Sequence, residues 1–318
     1  MPDENIALGS PVSLPPVPRT NVFRNEQGIR AGWRLLIYLA IVLVTVGALH
    51  SLFQAMHGRP RGGTPPPSVQ LFSEATTFLV IFGAAFVMSR IEHRPLGVYG
   101  IPAREAFGKK FWLGCFFGLL EISALVGLIA LFGGYSFGPL ALNGTQILQW
   151  AAYYAVFFLF VGFFEEFLFR GYTQFTLGDG IGFWPAATVL SVLFGFVHYF
   201  NPGEGIVGAA SVVLVALLFV FTLRRTGNLW YAIGLHAAFD FGETFLYSVP
   251  DSGFLFPGHL SDAALHGPRW LTGGTVGPEG SVFCFLTMGL QFLVVLWLFP
   301  KNKSQQPAVV AAVPANQL

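Results

Sequence analysis

The sequence predicts an all-α fold, a polytopic transmembrane helical bundle of about eight spans, on three observations: composition, the length of the apolar runs, and the placement of Lys and Arg. Hydrophobic residues make up 54% of the 318 residues and charged residues only 10%, against about a quarter in a soluble domain. Apolar runs recur near residues 34–54, 69–89, 111–133, 147–169, 184–199, 206–223, 229–248 and 281–299. Most reach the roughly 20 residues that a tilted helix needs to cross about 30 Å of hydrocarbon. The run at 184–199 is short and is expected to lie partly inside the bundle. Orientation follows from the cations, which favour cytoplasmic connectors. Arg19, Arg24, Arg30 and Arg34 lead into the first run, and Arg90, Arg94, Arg104, Lys109 and Lys110 follow the second. Arg224 and Arg225 follow the sixth run, and Lys301 and Lys303 follow the last. The connectors 134–146 and 200–205 hold neither residue type, and Arg59 with Arg61 in the first connector is the exception. Both termini are therefore expected in the cytoplasm, in a multi-pass protein of the inner (plasma) membrane.

In chain order, residues 1–32 read as a disordered tail with Pro11, Pro15, Pro16 and Pro18. The tail lacks the charged start, short apolar core and small-residue cleavage site of a secretory signal. Residues 33–146 carry the N-terminal transmembrane helices. Their first connector, with Pro60, Gly62, Gly63, Pro65, Pro66 and Pro67, is expected to be irregular and semi-rigid. Residues 147–248 form a helical core, and 249–280 an outer, solvated loop containing Asp251, His259, Asp262 and His266 without metal-ligand spacing. A last transmembrane helix covers 281–300 and a second disordered tail 301–318. Net charge is +1 and no basic stripe with interleaved aromatics exists, so no nucleic-acid partner is expected. Cys115 and Cys284 lie inside apolar runs and read as small hydrophobes.

Chemistry concentrates in the core. Ionisable groups within a membrane span are costly and mark function by default. Glu165-Glu166-Phe-Leu-Phe-Arg170 ends a long apolar run. Glu166 and Arg170 stand four apart on one helical face and can pair. Glu165 is rotated by about 100°, free to face a cavity. Phe194-Gly-Phe-Val-His198 ends the fifth run. With 1.5 Å rise per residue, a short turn near 178–183 would bring His198 and Glu165 to one depth. His236-Ala-Ala-Phe-Asp240 places an imidazole and a carboxylate on one face of a third helix.

In this order the three motifs resemble those of the CAAX prenyl protease and bacteriocin-processing (CPBP, or Abi) family of intramembrane endopeptidases. The family signature reads E-E-x-x-x-R, F-x-x-x-H and H-x-x-x-N or H-x-x-x-D. Phe169-Arg-Gly-Tyr172 and Arg225-Thr-Gly-Asn-Leu-Trp230 extend the likeness, which covers about 147–248. The resemblance implies hydrolysis of a peptide bond in a membrane-associated peptide or protein, within the bilayer. Glu165 and His198 would then hold and activate water, and His236 would stabilise the oxyanion. Asp240 departs from the asparagine of prenyl-protein-processing members. An ionised Asp repels an oxyanion, so it is expected to orient and charge His236. The resemblance leaves open a divalent metal such as zinc, with Glu165, His198 and His236 as ligands. No H-E-x-x-H is present, and a carboxylate–imidazole pair also activates water without metal. Two rivals remain at this level: an ion- or proton-coupled transporter that uses the same residues as a relay, and a catalytically silent membrane scaffold.

Overall fold

The computed structural model describes residues 21–26, 28–57 and 65–300. The expectations for residues 1–20, for the tail 301–318 and for Arg59, Pro60, Arg61, Gly62 and Gly63 lie outside that range. Ten α-helices follow in order: α1 (Ala31–His57), α2 (Pro67–Ile91), α3 (Lys109–Leu131), α4 (Thr145–Glu166), α5 (Thr173–Ile181), α6 (Phe183–His198), α7 (Ile206–Thr226), α8 (Trp230–Phe241), α9 (Arg269–Thr272) and α10 (Val282–Leu298). The only strands among the described residues form two small antiparallel pairs. They are β1 (Arg24–Asn25) with β2 (Gly28–Ile29), and β3 (Tyr135–Ser136) with β4 (Ala264–Leu265).

Each of the eight apolar runs is helical. Five stretches are long and apolar enough to cross a membrane: Ala31–Met56, Pro67–Ile91, Lys109–Leu131, Thr145–Ile181 and Ile206–Thr226. The helices α6 and α10 are apolar but shorter. The seventh run divides into the 12-residue α8 and a π-helical turn, Gly242–Leu246. The outward faces are apolar, with Leu43, Val44, Leu79, Leu193, Leu293 and Trp297 exposed. A bundle apolar all round suits lipid as its solvent.

The tail expected over 1–32 ends sooner than the sequence suggested. The Asn21 side chain accepts from the backbone of Phe23 and Arg24, and Trp33 Nε1 donates to the Val22 carbonyl. These bonds hold the β1–β2 hairpin against the start of α1. The outer loop also differs, because it folds back into the protein instead of standing in solvent. β4 pairs with β3, Tyr154 donates to the Pro257 carbonyl, and Asp251, Ser261 and Val276 are buried.

Helix α8 is the pivot of the bundle, packed on α3 and α4. A Cβ at Gly118 would lie 2.3 Å from the Leu235 carbonyl oxygen, and one at Gly234 would lie 2.2 Å from that of Phe111. Only glycine lets these backbones touch, the usual device for close helix contacts in lipid. Next to α8, α6 packs on α7 and α2 on α4, while α1 braces α2 and α5. Where α1 begins and α2 and α5 end, Arg34 bridges Glu92 (2.6 Å) and Asp179 (2.9 Å), and Arg94 adds a bond to Asp179 at 2.8 Å. Tyr99 and Tyr172 also donate to Glu92. This network ties α1, α2 and α5 at one end of the bundle.

Candidate active site

The last turn of α4 sets two carboxylates side by side, and a π-helical turn, Phe167–Tyr172, follows at once. Inside it Gly171 takes non-helical angles (φ −88°, ψ −118°), so the chain bends before α5. Such π turns insert a residue into the helical ladder and recur at functional sites. Glu166 is fully buried, and its Oε1 accepts from Arg170 Nη1 at 3.2 Å. The guanidinium lies 4.2 Å from the centre of the Phe194 ring and 5.4 Å from that of Phe219, a cation–π cage in place of water.

His236 enters from α8 and reaches the same carboxylate, with Nδ1 3.0 Å from Glu166 Oε1. A carboxylate paired with arginine only accepts, so this contact places the hydrogen on Nδ1. The ring stacks on Phe219 with centroids 5.3 Å apart. Its Nε2 points to Asp240 Oδ2 at 3.4 Å and Glu165 Oε2 at 3.8 Å. Glu166 thus meets His236 across helices at Nδ1, while Asp240, four residues on, lies beside the other ring nitrogen.

His198 closes α6. Its Nδ1 lies 2.9 Å from the Phe194 carbonyl oxygen, an acceptor, which leaves Nε2 for other partners. Glu165, His198, His236 and Asp240 line one cavity of about 320 Å³. Glu166 and Arg170 stand behind its wall. Adjacent residues on one helix thus have different surroundings, with Glu166 neutralised and Glu165 open to the cavity.

The groups whose ligand atoms crowd within 4.8 Å of one another among the described residues do not include the set Glu165, His198 and His236. Among the described residues, the three acidic, His or Cys side chains whose ligand atoms all fall within 4.8 Å of one another are Glu243, Asp251 and Glu279. Of these three, the sequence draws attention to Asp251 alone, in a loop without metal-ligand spacing. Asp251 and Glu279 border the cavity, together with Glu74 from α2 and Glu121 from α3. Burial and the neighbouring Asp251 push the Glu279 carboxyl up to about 8. Burial and Asp240 push that of Asp251 well above its usual range. A signal existed for Glu74 and Glu121, since each is a lone carboxylate inside an apolar run. No spacing could have announced Asp251 and Glu279, which come from opposite ends of one loop.

Residues 146–242 match the family model described as type II CAAX prenyl endopeptidase Rce1-like. No curated protein and no solved structure matches the chain. The matched stretch runs from α4 to the end of α8 and holds every residue of the three motifs. The helices that carry Glu165, His198 and His236 thus form an Rce1-like domain over residues 146–242, in an integral membrane protein.

Proposed function

We propose that the protein cleaves a peptide bond near the end of a membrane-associated peptide or protein, with water activated by Glu165 and His198. The observation that carries this reading is the shared cavity, which receives the Glu165 carboxylate and the imidazoles of His198 and His236 from three separate helices. A water between Glu165 and His198 Nε2 would give its proton to Glu165 as its oxygen attacks the scissile carbonyl. His236, held through Nδ1 by Glu166, would donate from Nε2 to the oxyanion. Asp240 Oδ2, 3.4 Å from that nitrogen, would favour a hydrogen there. When the C–N bond breaks, the proton on Glu165 passes to the leaving amine.

The substrate class we favour is a prenylated C-terminus, by the description of the matching family; a bacteriocin or leader peptide is the second. The Lys and Arg bias supports an inner-membrane location with both termini in the cytoplasm. The test is turnover of a farnesylated CAAX-type peptide by the purified protein in detergent, beside an unmodified peptide and a leader peptide. Cleavage that disappears in Glu165→Ala supports the reading. Turnover at the wild-type rate by that variant overturns it.

A further inference from the structure

Beyond the three motifs, the part of the molecule that asks most for a ligand is the end of α8. Glu243 lies in the π-helical turn that follows α8, and it is fully buried. Neither oxygen of its carboxylate has a hydrogen-bond partner among the described residues. A buried carboxylate without a donor is among the costliest arrangements a protein can hold. Asp251, where the loop 249–280 begins, and Glu279, where it ends, bring one oxygen each to within 4.8 Å of one from Glu243. Each of these two has a donor of its own: Asp251 accepts from Thr244 Oγ1 at 3.1 Å, and Glu279 from Ser252 N and Oγ, both at 3.1 Å. The bonds aim their carboxylates and leave Glu243 bare at the centre.

The backbone approaches the same spot. Gly277 has φ +117°, and a Cβ there would lie 2.0 Å from the Pro250 carbonyl oxygen and 3.2 Å from Glu243 Oε1. Gly277 thus stands between the Pro250 carbonyl oxygen and the Glu243 carboxylate, where any larger residue would clash.

We propose that Glu243, Asp251 and Glu279 form a structural site for a hard divalent cation of the calcium class, distinct from the water-activating residues. All three side-chain donors are oxygens, which select calcium, magnesium or manganese over zinc or copper. Calcium fits best among these, because it accepts irregular shells of six to eight oxygens, whereas magnesium demands a near-ideal octahedron. The ion would join both ends of the loop to the end of α8, and so fix the wall that Asp251 and Glu279 give to the cavity. The assignment does not depend on the protease reading, since the site uses none of the motif residues.

The test is thermal melting of the chelator-treated, detergent-purified full chain as calcium chloride is added, with bound metal counted after dialysis. We expect about one calcium per chain and a rise in Tm on the order of 5 °C at a hundredfold excess over Kd. Magnesium should give less and zinc should not compete. Glu243→Gln should lose both the bound ion and the rise. Glu279→Gln, at the least buried of the three positions, provides the same test if the first variant folds poorly. Glu165→Gln should keep the full response. No bound calcium with an unchanged Tm overturns the site, as does a response that survives Glu243→Gln or vanishes in Glu165→Gln. A melting temperature that rises in Glu243→Gln without any calcium effect also overturns it, and assigns the three carboxylates to a cluster held neutral by protons.

Discussion

Two carboxylate-rich centres border one cavity, and they solve the problem of buried charge differently. At the first, Glu166 has Arg170 at 3.2 Å and His236 at 3.0 Å, so its charge is met on the spot by groups of this chain. At the second, Glu243, Asp251 and Glu279 converge with no Lys or Arg paired to any of them among the described residues. The first centre therefore has its compensation built in and can leave Glu165 available for chemistry. The second needs protons or an ion from outside. A buried carboxylate is thus read by what neutralises it: a cation behind the wall leaves a neighbour reactive, and no cation at all points to a ligand.

The sharpest way to break the contrast is at the reactive member of the first centre. Glu165→Ala should lower turnover by about 10²–10⁴, the span of a lost general base, with melting unchanged. Arg170→Ala attacks the compensation itself. It leaves Glu166 buried and without its arginine, which should destabilise the protein by about 3–5 kcal/mol. A fall in Tm with a parallel loss of activity is expected. An inactive protein with an unaltered Tm would instead place Arg170 in substrate handling.

The next pair separates orientation from charge at His236. Glu166→Gln weakens the hold on Nδ1, and a donor displaced by ~1 Å loses about a hundredfold in rate. Asp240→Asn keeps an oxygen beside Nε2 and should remain within about tenfold of wild type. Equal and severe losses in both variants, measured as turnover at matched expression, would instead show that the charge of Asp240 matters as much as the hold on Nδ1.

The smallest effect belongs to an ion pair with water at hand. Lys110 binds Glu105 at 2.7 Å, and both side chains are partly exposed. Lys110→Ala should change stability by less than about 1 kcal/mol. The bond from Lys110 holds the Glu105 carboxyl below its usual range. The folded state thus binds this proton less readily than the unfolded chain. The small stabilisation is present at neutral pH and is lost as pH falls through the depressed value. Melting curves of both proteins should converge at acid pH, and a gap that widens there would contradict the pairing.

Much of this molecule is legible along the chain, because lipid imposes a simple rule: backbone groups must bond within their own segment, so a long apolar run is a helix. The eight runs, the pairing of Glu166 with Arg170 and the helical placement of Glu165, His198 and His236 follow from local spacing of 1.5 Å and about 100° per residue. What needed the tertiary structure is every relation between distant segments. The bond from Glu166 to His236 crosses from α4 to α8, and no periodicity within either helix encodes it. Glu74 and Glu121 were visible as lone acids, but only packing shows that they border the cavity that holds Glu165. The loop 249–280 read as solvated because Gly, Pro and polar residues break up its apolar residues. It is folded in because strand pairing with residues 135–136 and the bond from Tyr154 satisfy its backbone. Local periodicity thus determined the helices and which residues share a face, since each depends on neighbours within about one turn. Convergence of Glu243, Asp251 and Glu279 depends on how a loop closes over the end of a helix, and that only the packed chain decides.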